Sequence, residues 1–185
     1  MEKDKLNFLS LVNRRYSVRD YLDKPVEREK LDMCLEAARL APSACNSQPW
    51  KFIVIDDKQL KNTLCERIFS GVHRTNMFAK KAPVLVAVVS DKGTFVARSG
   101  GFLRDVRYYL IDIGIAVEHF ILQAAELGLG TCWLGWFNEK EAKKVLSIPA
   151  NKRIDIVLSL GYPASPPGER RRKSIKEISA FNPGR

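Results

Sequence analysis

Apolar residues recur at spacings of three and four in several stretches of the chain, and short unbroken apolar runs separate them. Leu6, Phe8, Leu9 and Val12 predict a short amphipathic helix. Pro25 opens a second helix over Val26 to Leu40, with Leu31, Cys34, Leu35 and Ala38 on one face. Pro42 disfavours helical angles at Ala41, so that helix stops there. A strand follows at Lys51 to Ile55, and helical spacing returns from Lys58 to Phe69 through Leu60, Leu64 and Ile68. Val84 to Val89 has no polar interruption, which predicts a strand covered on both faces.

From Asp91 to Arg104 the periodicity lapses and Gly93, Gly100 and Gly101 appear. This stretch reads as a mobile loop or lid, about 91–104, because strong patterns resume directly after it. The next helix, from about Arg107 to Leu127, is apolar around most of its circumference and is expected to be central and buried, with Gly128 as its C-terminal cap. Asn138 with Glu141 predicts a capping box opening a helix that runs to Leu146. Ile154 to Leu160 supplies a last strand, and the Pro- and Arg-rich tail, about 163–185, has no core pattern. Trp133 and Trp136 are read as core packing. Helices and strands mix without strict alternation, and no Gly-x-Gly-x-x-Gly follows the first strand, which argues against a Rossmann domain. The expectation is an α+β fold, a central sheet flanked by helices, in a single domain over 1–185.

Composition supports that reading and narrows the rest. A chain of 185 residues with 45% hydrophobic and 28% charged residues suits one globular domain. Its charged start and short apolar runs predict a cytoplasmic protein with no membrane segment. Cys34, Cys45, Cys65 and Cys132 form no Cys-x-x-Cys pair, and neither His73 nor His119 has metal-ligand spacing, so no metal site is expected. Cys34 and Cys132 read as core thiols and His119 as a packed residue. A net charge of +10 raises the question of nucleic acid, but no helix-turn-helix, zinc finger or RNA-binding aromatic signature accompanies it.

Two segments carry candidate chemistry. Ala41-Pro42-Ser43-Ala44-Cys45-Asn46-Ser47-Gln48-Pro49-Trp50 is a short loop rich in hydroxyl and amide groups, suited to the polar edge of a planar heterocycle. Arg14-Arg15-Tyr16-Ser17-Val18-Arg19-Asp20-Tyr21 holds three guanidinium groups within six residues, and their forked donors suit phosphate oxygens. In this order, on either side of a helix, the two segments resemble the FMN-dependent nitroreductase family. Gly128-Leu129-Gly130-Thr131-Cys132-Trp133-Leu134-Gly135 after the long helix, Leu160-Gly161-Tyr162-Pro163, and the basic tail Arg170-Arg171-Arg172-Lys173 extend the resemblance over nearly the whole chain.

The resemblance implies a mixed, mainly antiparallel sheet and a homodimer with FMN at the interface. It also implies a C-terminal tail exchanged with the partner subunit. In its terms Arg15 and Ser17 hold the phosphate and ribityl chain, and Arg170 and Arg172 complete the phosphate site. Tyr16 stands in the same motif where many relatives carry Arg or His. Arg19 faces the flavin N1 and C2-carbonyl edge, Leu134 and Gly135 lie against N5, and Asn76 approaches the ring edge. Pro42, Ser43 and Asn46 come from the opposite subunit. The implied activity is a two-step cycle in which NADH or NADPH reduces FMN and a small electron-poor acceptor, such as a nitroaromatic or quinone, reoxidises it. No side-chain catalyst is required. The alternatives are a non-catalytic FMN-binding or storage protein, and a flavin-destroying or dehalogenating branch of the same family.

Overall fold

The computed structural model describes residues 7–90 and 106–183. At its centre, β1 (Trp50–Ile55), β2 (Val84–Ser90), β3 (Gly130–Leu134) and β4 (Arg153–Gly161) form a four-stranded sheet in the order β1-β2-β4-β3. All its pairings are antiparallel, with the register slipping between Val88 and Val89. The expected parallel component reduces, among the described residues, to a bridge between Ser17 and Thr131 at the β3 edge.

β2 is buried along its whole length, as its sequence requires, and its alternation divides the core. Val84, Val86 and Val88 face a layer made by α2 (Arg28–Arg39) and α4 (Tyr108–Glu126), through Leu31, Cys34, Val117 and Phe120. Leu85, Ala87 and Val89 face α3 (Lys58–Ile68) and α5 (Glu139–Val145), through Leu64, Ile68 and Ala142. Each fully buried aliphatic side chain stabilises the fold by about 1.5–3 kcal/mol relative to exposure.

α4 ends as Gly128 predicts. At φ +77° this glycine lets the Leu129 N–H reach the Ala124 carbonyl at 2.8 Å while its own N–H reaches Ala125 at 3.2 Å. The chain therefore turns directly into β3. Three other expectations are corrected. α4 buries only one side in the single chain, and Leu110 and Ile111 face outward. The buried wall of α3 is Lys61, Leu64, Cys65 and Ile68, while Leu60 points to solvent. The α5 capping box is half formed. Asn138 Oδ1 accepts the Glu141 N–H, but the Asn138 N–H goes to the Ile68 carbonyl and Glu141 pairs with Lys144.

α1 (Phe8–Arg14) buries none of its residues, and its Leu9 is 73% exposed. The tail forms one short helix, α6 (Ile175–Ile178), started by a reciprocal Ser174–Glu177 capping box, with Ile175, Ile178 and Phe181 exposed. A run of 3₁₀ turns over Gly71–Lys81 joins α3 to β2 without a helical apolar period to announce it. Among the described residues no helix is long and apolar enough to cross a membrane. The expected lid, about 91–104, lies outside the described residues.

Candidate functional site

The Arg segment is held against the sheet by contacts that only small residues allow. The Val18 N–H donates to the Thr131 carbonyl at 2.9 Å. A Cβ on Gly130 would meet Val18 Cγ2 at 2.3 Å, so a side chain there would push the segment away. Tyr21, buried beneath, sets its hydroxyl 2.7 Å from Ser159 Oγ and donates to the Val18 carbonyl at 2.8 Å. Burial drives its phenol pKa strongly upward, so it stays a neutral anchor. Val18 and Tyr21 turn inward, leaving Arg15 and Tyr16 half-buried and Ser17 and Arg19 at the surface.

The structure brings Arg170 to this segment. Its guanidinium donates to the Arg15 carbonyl, and the Tyr16 hydroxyl donates to the Ser165 carbonyl, so the tail runs alongside. Among the described residues the Arg15 guanidinium has no carboxylate partner, although it is half-buried. Arg14, Arg15 and Tyr16 share a cavity of about 410 Å³ with Gly128, Thr131 and Pro163. Arg172 is not brought in; it is exposed and, among the described residues, bonds only the neighbouring Arg171 carbonyl. Burial pushes the Tyr16 and Cys132 pKa values up, and the Arg19 charge draws that of Cys132 partly back.

Arg19 lies with its guanidinium carbon 5.9 Å from the Phe78 ring centroid, linking the segment to the 3₁₀ run. Asn76, on the same run, donates to the Trp136 carbonyl at 2.8 Å and so fixes the turn that follows Leu134 and Gly135. Leu134 is buried, whereas a Cβ on Gly135 would meet nothing within 4 Å. The backbone there is open to a flat group. The expectation that both tryptophans pack in the core is corrected. Trp133 is 41% and Trp136 60% exposed. Cys132 and Leu134 occupy the core side of β3, so strand alternation sends Trp133 the other way, and Trp136 lies beyond the strand end. Trp136 donates from Nε1 to the Val72 carbonyl at 3.2 Å and lies with its ring 5.0 Å from that of His73.

Pro42, Ser43 and Asn46 lie in a loop that no hydrogen bond or ion pair among the described residues connects to the Arg segment. Cys45, Asn46 and Gln48 adopt φ of 53°, 50° and 43°, a left-handed conformation that costs each roughly 1 kcal/mol or more. Ser43 Oγ accepts the Gln48 N–H at 3.0 Å, and Gln48 Nε2 reaches Asn46 Oδ1 at 3.0 Å. The base of the loop is held by Asp112 on α4, whose Oδ1 accepts the Ala44 N–H at 2.9 Å. Sequence reasoning missed Asp112, because Glu118 and Glu126 on the same helix leave a carboxylate there with nothing to single it out. Cys45 is exposed, and Cys34, Cys65 and Cys132 are buried. Burial pushes Cys34 to about 12 and Cys65 to about 11. His119 packs as expected, with Nδ1 3.2 Å from the Ala37 carbonyl.

Residues 12–162 match the model of the Nitroreductase family. The "Putative NADH dehydrogenase/NAD(P)H nitroreductase" of Methanothermobacter thermautotrophicus is 32% identical over 90% of this chain and 82% of its own length. An iodotyrosine deiodinase of Thermotoga neapolitana is 27% identical over 92% of this chain and 98% of its own. Among solved structures, an FMN-dependent nitroreductase from Clostridium difficile superposes with a TM-score of 0.75 at 29% identity, covering 95% of this chain and 99% of that one.

Proposed function

Because this chain belongs to the nitroreductase family, we infer that it is an FMN-dependent NAD(P)H oxidoreductase acting on small electron-poor acceptors. One observation carries the cofactor: the half-buried Arg15 guanidinium with no carboxylate partner among the described residues, beside a tail arginine tied to its carbonyl. A cation in that position calls for an anion, and a flavin phosphate supplies one.

The remaining residues fit the same group. Arg15 and Arg170 grip the phosphate, with the exposed Ser17 hydroxyl as a further donor. Arg19 stabilises negative charge on the polar edge of the ring system. The open backbone at Gly135 lets a flat ring approach the amides after Leu134. When bound, FMN accepts two electrons from a nicotinamide donor and passes them to the acceptor. Asn76 keeps the turn in place through the Trp136 carbonyl. Exposed Trp136 and half-buried His73 offer an aromatic wall on which a planar guest stacks.

A homodimer completes this reading. Phe8 and Leu9 on α1, Met33 on α2, Ile111 on α4 and Phe181 in the tail are all exposed apolar residues. Uncovered apolar side chains of this number support the reading that part of this surface meets a partner. A partner seated there would also bring a second Ser43–Asn46 loop to each site. Arg172, bonded to the neighbouring Arg171 carbonyl within one chain, would gain a phosphate contact in that assembly, and the tail would reach across. The functional assignment, in the cytoplasm, is tested by anaerobic titration of the purified protein. A yellow protein releasing FMN, bleached by NADH or NADPH and recoloured by a nitroaromatic or quinone, supports it. A flavin that neither nucleotide reduces would make the chain a flavin carrier. Recolouring by an iodinated tyrosine alone would place it with the deiodinases.

A further inference from the structure

Where β1 ends, α3 begins and the 3₁₀ run feeds into β2, the surface opens into a cavity of about 610 Å³. None of the residues assigned above to the flavin lines it. Its lining combines apolar Pro25, Val26, Pro83 and Val84 with Lys58, Lys61, Lys80 and Lys81.

Lys61 is the informative member. It is 5% exposed, yet its ammonium donates only to neutral oxygens, the Lys80 carbonyl at 2.7 Å and Asn62 Oδ1 at 3.1 Å. An ammonium has three donors and a full charge, so among the described residues one N–H has no acceptor and, of the carboxylates, only Asp23 pulls on the charge, from beyond ion-pair distance. The nearby carboxylates are engaged elsewhere. Glu66 holds Lys80 at 2.6 Å, Asp20 holds Lys81 at 2.8 Å, and Asp57 caps α3 through the Leu60 N–H at 2.7 Å. Asp23 and Asp56 line the cavity, but among the described residues no carboxylate oxygen comes within 4.0 Å of Lys61. Buried charges are ordinarily paired, and desolvation here draws the Lys61 pKa down, as expected of a cation missing its partner.

We propose that this cavity is a binding site for a small amphipathic monocarboxylate, with its oxyanion on Lys61 and its apolar body against Pro25, Val26 and Pro83. The wall selects the class. Exposed Lys58 in the lining adds attraction for an anion, while Asp23 and Asp56 repel negative charge, more strongly for a phosphate dianion than for a monocarboxylate. The apolar side rewards a ring or short aliphatic chain over a bare inorganic ion. The site is separate from the flavin reading and stands or falls without it.

Benzoate is the probe, with benzyl alcohol as its uncharged counterpart, titrated into the full chain supplied with FMN and followed by calorimetry and backbone amide shifts. The expected result is saturable binding of one benzoate per chain, with shifts at Lys61, Asn62 and Val84. Benzyl alcohol and the Lys61→Met variant should each bind about tenfold more weakly, the effect of losing one charge-assisted contact. Lys58→Glu, an exposed change that leaves the core alone, should weaken benzoate by about threefold or more. Equal binding of benzoate and benzyl alcohol, unchanged affinity in Lys61→Met, or shifts confined to the Gly135 turn would overturn the proposal. Should Lys61→Met not fold, Lys58→Glu decides alone, and unchanged affinity there has the same consequence.

Discussion

Asp112 Oδ1 accepts the Ala44 backbone N–H at 2.9 Å, so a carboxylate in the second turn of α4 carries the loop that presents Ser43 and Asn46. Asp112 is only 4% exposed, and its second oxygen, Oδ2, is buried without a hydrogen-bond partner among the described residues. The long helix and the strained loop are thus joined by a direct hydrogen bond.

Replacing that carboxylate separates its two oxygens. Asp112→Ala leaves the Ala44 N–H unanswered and should cost about 1–3 kcal/mol in chemical denaturation. Asp112→Asn keeps the acceptor and removes the unpartnered anionic oxygen, so it should stay within about 1 kcal/mol of the parent. An alanine variant as stable as the parent would show that the loop holds its shape without α4.

The two arginines of the flavin reading should fail differently. Arg15→Ala should weaken FMN retention by about 1.5–3 kcal/mol, roughly a tenfold to hundredfold rise in Kd by fluorescence titration. Arg19→Ala should keep most of that affinity but lower the flavin midpoint potential, because the reduced, more negative ring loses a nearby cation. The same loss of affinity in both variants, with no change in potential, would contradict the division of roles.

Subunit mixing tests the interface. Two inactive variants, one altered at Arg15 and one at Asn46, are mixed and allowed to exchange. If each site draws Arg15 from one chain and Asn46 from the other, a heterodimer has one doubly altered site and one intact site. Flavin binding and activity should then partly return. Verified exchange without recovery would mean that each site is built within one chain.

Acid sensitivity has a specific source at the exposed Glu27. The Tyr162 hydroxyl donates to Glu27 Oε2 at 2.6 Å and receives the Lys30 ammonium at 2.6 Å. The Tyr162 hydrogen bond, first among its causes, lowers the Glu27 pKa to about 2. A depressed carboxylate pKa contributes stability that is complete above the unfolded value of about 4.3 and is lost as pH falls through the folded one. NMR titration of the Glu27 carboxyl should show the depressed value in the parent. It should return toward the ordinary range in Tyr162→Phe, with the acid limb of stability flattened. An unchanged Glu27 titration in Tyr162→Phe would remove the tyrosine as its cause.

What the sequence revealed and what it hid follow from the range of the forces involved. β2 was legible because an unbroken apolar run has few homes other than the middle of a sheet, and the end of α4 because Gly128 acts within one turn. The 3₁₀ run Gly71–Lys81 was not, because its short-range bonds leave no 3.6-residue period. Trp133 and Trp136 misled because hydrophobicity does not say which side of an edge strand is covered. The Arg15 and Ser43 segments stood out by residue type alone. Asp112 and Lys61 gain their importance from chain brought close by the fold, and no local pattern marks them. Arg170 and Arg172 look alike in sequence, but only Arg170 reaches the Arg15 carbonyl within one chain.

The pairing of β2 with β4 has a consequence for biosynthesis. Val84 pairs with Leu160 and Ser90 with Arg153, so the central seam joins one strand to another that is synthesised well after it. Until β4 leaves the ribosome, Val84 to Val89 has only β1 for company and presents a bare valine-rich edge. A segment of that composition, with no charge and no proline, is the kind that adheres to copies of itself. The vulnerable period in the life of this protein is therefore its own synthesis. Stalled or truncated chains ending before Arg153 would be the species that chaperones must shield and that inclusion bodies collect.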